Sequence, residues 1–316
     1  RPRYAAQTEG EERRYSMSEE KRQAGTLSPN VSVYMGFDAE FEEADTVLFG
    51  APFDSTTSFR PGTRFGSEAI RRESYGLETY SPYQDRDLED SLIMDSGDLE
   101  LRFGDPKQAL ADIEERTALI LEAGKRPFML GGEHLVTLGS FRAVHKKYPD
   151  AAIIHFDAHT DLREDYLGEP LSHACVIRRC WDLTGDGSIF QFGIRSGERW
   201  EFQWAKEHTF LNPFDFTGLE ETLERLKGRP VYFTVDLDVM DPSVFPGTGT
   251  PEPGGVTFDQ LRRAVTLVCD RANIVGCDVN ELSPHYDLSG ASTAAACKIV
   301  REMALALQRQ DQEKHR

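Results

Sequence analysis

One short stretch constrains this chain more than any other: an apolar strand that turns at once into acids and imidazoles. It reads Ile153-Ile154-His155-Phe156-Asp157-Ala158-His159-Thr160-Asp161. Alternate positions of an extended segment face one side, so Asp157, His159 and Asp161 can converge as the chain leaves a sheet. Taken alone, such a group is as readily a loop with a helix cap. Two further apolar runs repeat the pattern. Val231-Tyr232-Phe233-Thr234-Val235 runs into Asp236-Leu237-Asp238, and Pro127-Phe128-Met129-Leu130 opens into Gly131-Gly132-Glu133-His134. Ligands of open α/β sheets bind beyond the carboxyl ends of the strands, so the three ends can meet there.

Such a meeting has an electrostatic requirement. Two carboxylates about 4 Å apart repel by about 4 kcal/mol at an effective dielectric near 20, and four of them multiply the pairs. Protons or cations must relieve this. Oxygen and imidazole donors without thiolate suit manganese, iron, nickel or zinc better than soft copper(I). Four aspartates and two histidines are enough for two ions if some carboxylates bridge, and the pattern therefore predicts a dinuclear site.

Around these ends, strands and helices alternate. Strands are expected over 45–52, 91–98, 127–130, 151–156, 188–194, 231–235 and 274–280, with helices from about Ser67, over 106–123, up to Lys147, up to about Asp182, around Trp200 and Trp204, and over 219–226, 257–270 and 291–307. This order predicts an α/β fold of three layers, α/β/α, around a mainly parallel central sheet. With 316 residues, 39% of them hydrophobic, the chain can bury a sizeable core. We expect an N-terminal arm over 1–30, charged and without apolar periodicity, and a single catalytic domain over 31–316. The glycine-rich segment 246–251 lacks the lysine of a phosphate-binding loop and is expected to be a rigid wall beside the site. The polar loop 53–66, with Thr56 and Ser58, is read as holding itself together rather than as catalytic.

A formal net charge of −18 argues against a nucleic-acid partner. No apolar run approaches the length needed to span a bilayer and the N-terminus lacks a signal-peptide core, so no membrane partner and a cytoplasmic location are expected. The five cysteines, Cys175, Cys180, Cys269, Cys277 and Cys297, are dispersed and outline no disulfide framework. Cys175 stands two residues after His173, which leaves a Cys/His nucleophile as a minor alternative.

The sequence resembles the ureohydrolases, the arginase and agmatinase family. The resemblance rests on G-G-E-H at 131–134, H-F-D-A-H-T-D at 155–161, S-H-A-C at 172–175, V-D-L-D-V-M-D-P at 235–242, P-G-T-G-T-P at 246–251 and N-E-L-S-P-H-Y-D at 280–287, and it covers nearly everything from 41 to 307. It implies an arginase-like fold and two Mn²⁺ ions per subunit. His134, Asp157, Asp161 and Asp236 would hold one ion; His159, Asp157, Asp236 and Asp238 the other. His173 would stand beside the substrate and serve as a proton shuttle, and Glu281 would hold a guanidinium group. With Asp161, these form the implied catalytic set. The implied reaction is hydrolysis of the guanidino group of agmatine to urea and putrescine by a metal-bridging hydroxide, a step of polyamine biosynthesis, with 4-guanidinobutyrate or arginine as the alternative substrate. The implied partners are a small cationic guanidino substrate and further copies of the chain, as a trimer or hexamer. Two positions depart from the common family pattern. Glu133 stands where many relatives have aspartate, and is expected to lie behind His134 without displacing it. Asn280 stands where an acid is frequent.

Overall fold

The computed structural model describes residues 32–314, with side chains up to residue 308. The arm expected over 1–30 lies outside the described residues. Eight strands form the central sheet: β1 (Thr46–Ala51), β4 (Ile93–Asp98), β5 (Arg126–Gly131), β6 (Ala152–Phe156), β7 (Ile189–Ile194), β8 (Phe210–Pro213), β9 (Pro230–Asp236) and β10 (Asn273–Asn280). Their spatial order is β4-β1-β5-β10-β9-β6-β7-β8, and every pairing is parallel. A separate antiparallel ribbon joins β2 (Tyr80–Ser81) to β3 (Arg86–Asp87). Neither that ribbon nor β8 stands out in the sequence, because both are short and partly exposed, and β8 ends in proline.

Why the strands read as unbroken apolar runs is clear from their surroundings, since a parallel sheet covered on both faces has no solvent side to mark with polar residues. Leu48, Phe128, Ile154 and Phe233 pack to one face and Val47, Met129, Ile153 and Tyr232 to the other. On the first face lie helices α1 (Gly66–Ser74), α6 (Leu219–Arg225), α7 (Phe258–Arg271) and α8 (Ala291–Lys314), through Ile70, Leu223, Leu261 and Met303. The second face carries α2 (Pro106–Glu122), α3 (Val136–Lys147), α4 (Val176–Thr184) and α5 (Arg199–His208), through Ile113, Phe141, Ile177 and Ala205. Each such fully buried side chain larger than alanine contributes about 1.5–3 kcal/mol. The expected three layers are thus present. Helix α8 runs past the expected end at 307.

Register decides where the functional side chains emerge. Leu130, Val279, Val235 and Phe156 lie in one row across β5, β10, β9 and β6, the four central strands. The next row is Gly131, Asn280, Asp236 and Asp157, so three of the four central strands carry a polar side chain at the same height. Beyond it the loops bring in His134, Glu281, Asp238, His159 and Asp161.

Candidate metal centre and active site

Two groups of donors form where the four strands end. In the first, His134 Nδ1 faces Asp157 Oδ2 at 3.0 Å, Asp161 Oδ2 at 3.1 Å and Asp236 Oδ2 at 3.3 Å. In the second, His159 Nδ1 lies 3.4 Å from Asp157 Oδ1 and 3.0 Å from Asp238 Oδ2. Asp157 therefore offers one oxygen to each group. The donor atoms of Asp157, His159 and Asp238 lie within 4.8 Å of one another, as do those of His134, His155, Asp157 and Asp161. Asp236 joins the first group through Oδ2, and its Oδ1 accepts the Asp238 amide at 2.9 Å.

The backbone is shaped to present these groups. Asp161 and Glu281 both occupy the left-handed region, at φ 53° and 67°. A side chain with a Cβ pays for that conformation, and such strain is common at functional sites. The Asp161 loop is held from α5 by Glu201, fully buried, whose Oε1 accepts from Thr160 Oγ1 at 2.6 Å and from the Leu162 amide at 3.2 Å. The Asp238 loop is stitched by Arg195, which donates to the carbonyls of Asp238 at 2.8 Å and Glu252 at 2.7 Å. Segment 246–251 does lie beside this loop, where Thr250 Oγ1 donates to Asp238 Oδ2 at 3.4 Å and a Cβ on Gly249 would come within 3.8 Å of Glu281 Oε2.

Burial makes the centre electrostatically costly. Burial first, then Asp157, pushes the Asp161 carboxyl up to about 7. Burial and then Asp238 and Asp157 raise Asp236 well above the usual carboxylate range, and burial followed by Asp238 and Glu133 does the same to Glu281. Asp157 is the exception: burial opposes its charge, but the imidazoles of His134, His155 and His159 outweigh this and hold it well below. The ion-pair partners of these aspartates are imidazoles alone among the described residues. Three carboxylate oxygens around a single imidazole nitrogen, with no lysine or arginine to balance them, is a donor set that fits a divalent cation.

His155 is the centre residue that the sequence reading did not single out. Its Nδ1 accepts from Gln191 Nε2 at 3.1 Å, so Nε2 carries the proton and donates to Asp157 Oδ2 at 2.8 Å. It orients Asp157 rather than offering a free lone pair. Its sequence signal was its place two residues before Asp157, on the same side of an extended chain.

Glu281 and His173 line one cavity of about 330 Å³ together with His134, His159, Asp161 and Asp236. Glu281 Oε1 accepts the His134 amide at 2.7 Å. The His173 Nδ1 donates to the Thr56 carbonyl at 2.9 Å, which turns the Nε2 lone pair outward, with Ser58 Oγ 3.1 Å away. Burial lowers His173 to about 4, so the ring is neutral near pH 7. Glu133 points away from the donor groups and toward loop 53–66, where its carboxylate accepts from the Thr56 amide at 2.9 Å and Thr56 Oγ1 at 2.6 Å. The loop residue Thr56 is thus held by Glu133 and in turn holds His173. Cys175 is buried and burial pushes its thiol up to about 12, which disfavours the thiolate a nucleophile requires. All five cysteines are free.

Residues 44–306 match the Arginase family. The chain belongs to the arginase family. An agmatinase of Bacillus anthracis is 50% identical over 277 residues, covering 86% of this chain and 95% of that protein. A guanidinobutyrase of Pseudomonas aeruginosa is 34% identical over 286 residues, covering 85% and 88%. A solved structure from Clostridium difficile superposes with a TM-score of 0.84 at 52% identity, over 86% of this chain and 100% of that one. The arginase-family fold and the parallel eight-stranded sheet thus agree. Among the described residues no helix is long and apolar enough to cross a membrane.

Proposed function

We propose that this arginase-family enzyme hydrolyses the guanidino group of agmatine to urea and putrescine, using two Mn²⁺ ions. The observation that carries the reading is the convergence of two donor groups, sharing Asp157, with Glu281 and the Nε2 of His173 on one cavity. In this reading His134, Asp157, Asp161 and Asp236 hold one ion, and His159, Asp157, Asp236 and Asp238 hold the other. Bound divalent ions supply the positive charge that ionises water near neutral pH and steadies the charge that develops as the carbon is attacked.

The remaining work falls to side chains. A guanidinium spreads its charge over a plane and resists deprotonation, so its carbon is a poor electrophile until it is held and oriented. Glu281 accepts N–H bonds from it. Asp161 takes a further N–H as the carbon becomes tetrahedral. His173, neutral and with its proton fixed on Nδ1, accepts a proton at Nε2 and returns it to the leaving chain nitrogen. A C–O bond forms, the C–N bond to the alkyl chain breaks, and urea and a diamine leave.

Guanidinobutyrate is the second reading, because Arg163 lines the cavity and offers a cation to a distal carboxylate. Glu198 at 3.4 Å and Glu201 at 3.8 Å already balance that charge, which favours a substrate with a distal amine. Urea release from agmatine, arginine and 4-guanidinobutyrate, each with metal-free and Mn²⁺-loaded protein, tests the proposal: agmatine should give the highest kcat/KM, and a preference for either carboxylate substrate overturns it. The same reading carries a single catalytic domain over 31–316 in a cytoplasmic homo-oligomer, trimer or hexamer, checked by light scattering on the purified chain.

A further inference from the structure

On the side of His134 that faces away from the acids, polar side chains close on one another inside the sheet. Asp278 of β10 is fully buried. Its Oδ1 accepts from Thr234 Oγ1 at 2.6 Å and Asn280 Nδ2 at 2.7 Å, and its Oδ2 from Tyr232 Oη at 2.6 Å and Thr137 Oγ1 at 2.9 Å. Four donors on one carboxyl leave no acceptor for a proton of its own, which is the pattern of a carboxylate rather than a carboxylic acid. All four partners are neutral. A buried charge without a counter-charge is expensive, so something further along must repay it.

Thr234 supplies the connection. Its hydroxyl proton is committed to Asp278, so Oγ1 meets His134 Nε2, 2.8 Å away, as an acceptor. Nε2 must then carry the ring proton. The lone pair is left on Nδ1, which faces the oxygens of Asp157, Asp161 and Asp236 at 3.0, 3.1 and 3.3 Å. We infer that Asp278, acting through Thr234, is the positioning residue that fixes His134 as a ligand and sets the affinity for the divalent ion beside it. Its negative charge reaches the ion through two hydrogen bonds and a polarised ring. The inference rests on the two-ion part of the proposed function and not on the choice of substrate.

The test uses the full chain stripped of metal and titrated with Mn²⁺, with free ion followed by electron paramagnetic resonance and the metal-free unfolding midpoint by circular dichroism. Thr234→Val keeps the shape and removes the acceptor; Thr234→Ser restores the hydroxyl; Asp278→Asn removes the charge. Loss of such an outer hydrogen bond to a ligand costs about 10–100-fold in metal affinity. Thr234→Val and Asp278→Asn should each weaken one of the two Mn²⁺ positions by that factor, and Thr234→Ser should lie within about threefold of the parent. Should the valine chain fail to fold, Asp278→Asn carries the same expectation. Variants that lower only the metal-free midpoint and bind both ions as the parent does would make the cluster a structural plug and overturn the inference. A parent chain that takes up no Mn²⁺ overturns this inference and the metal reading together, whereas one that binds two ions but releases no urea overturns the substrate reading alone.

Discussion

Asp161→Asn separates two effects of charge in the centre, the cost of holding acids together and the gain of binding a cation with them. Asp161 is only 6% exposed, so solvent screens it little, and burial with Asp157 moves its carboxyl from 3.8 to about 7. Asparagine keeps the shape and tolerates the left-handed backbone at this position, φ 53°. A carboxyl raised in the folded chain binds its proton there more tightly than in the unfolded chain, so stability falls as pH rises between roughly 4 and 7. Each unit is worth about 1.4 kcal/mol, and roughly three units give a cost on the order of 4 kcal/mol once pH exceeds 7. In a chain of this size 1 kcal/mol moves the unfolding midpoint by about 2–4 °C. Metal-free Asp161→Asn should therefore unfold on the order of 10 °C above the parent at pH 8, with the gap shrinking steadily toward pH 5. Saturating Mn²⁺ should reverse the order, because the variant lacks a ligand. Thermal unfolding after chelation, repeated across pH 5–8, makes the measurement. A metal-free variant less stable than the parent at pH 8, or a gap that does not change with pH, would refute the reasoning.

Glu281→Gln keeps an acceptor for the His134 amide but removes the charge, and a charge-assisted contact worth about 1.5–3 kcal/mol predicts a fall in kcat/KM for agmatine of roughly 10–150-fold with no loss of thermal stability. His173→Ala should lower kcat by about 10²–10⁴-fold, as expected for loss of a proton-transfer group, and steady-state urea release measures it. Because His173 is lowered to about 4, the parent should show no inflection from this ring between pH 6 and 8. Cys175→Ser should leave urea release unchanged, since its thiol is pushed up to about 12 and plays no part in the chemistry.

Much of this molecule was legible because burial on both faces of a parallel sheet writes strands as continuous apolar runs, and because ligands placed just past the last apolar row interrupt those runs abruptly. Leu130, Val235 and Phe156 mark that row, and Asp236 and Asp157 follow it directly. What was not legible depended on partners far away in sequence. Glu133 adjoins His134 in the chain yet serves Thr56, 77 residues earlier. His155 looked like part of a strand until Gln191, 36 residues later, fixed its proton toward Asp157. Strand β8 stayed hidden because an edge strand of four residues buries too little to need an apolar pattern. The expected sharing of Asp236 between both groups rests on the resemblance: its Oδ2 faces the first group, while its Oδ1 accepts the amide of Asp238.

Anomalous diffraction at the manganese edge, from crystals of the Mn²⁺-loaded chain, tests the central claim most directly. Two peaks about 3.5–4 Å apart, one against His134 Nδ1 and one against His159 Nδ1 with Asp157 between them, are expected for an in-line pair of ions. A single peak, or manganese bound away from these two imidazoles, would contradict the account.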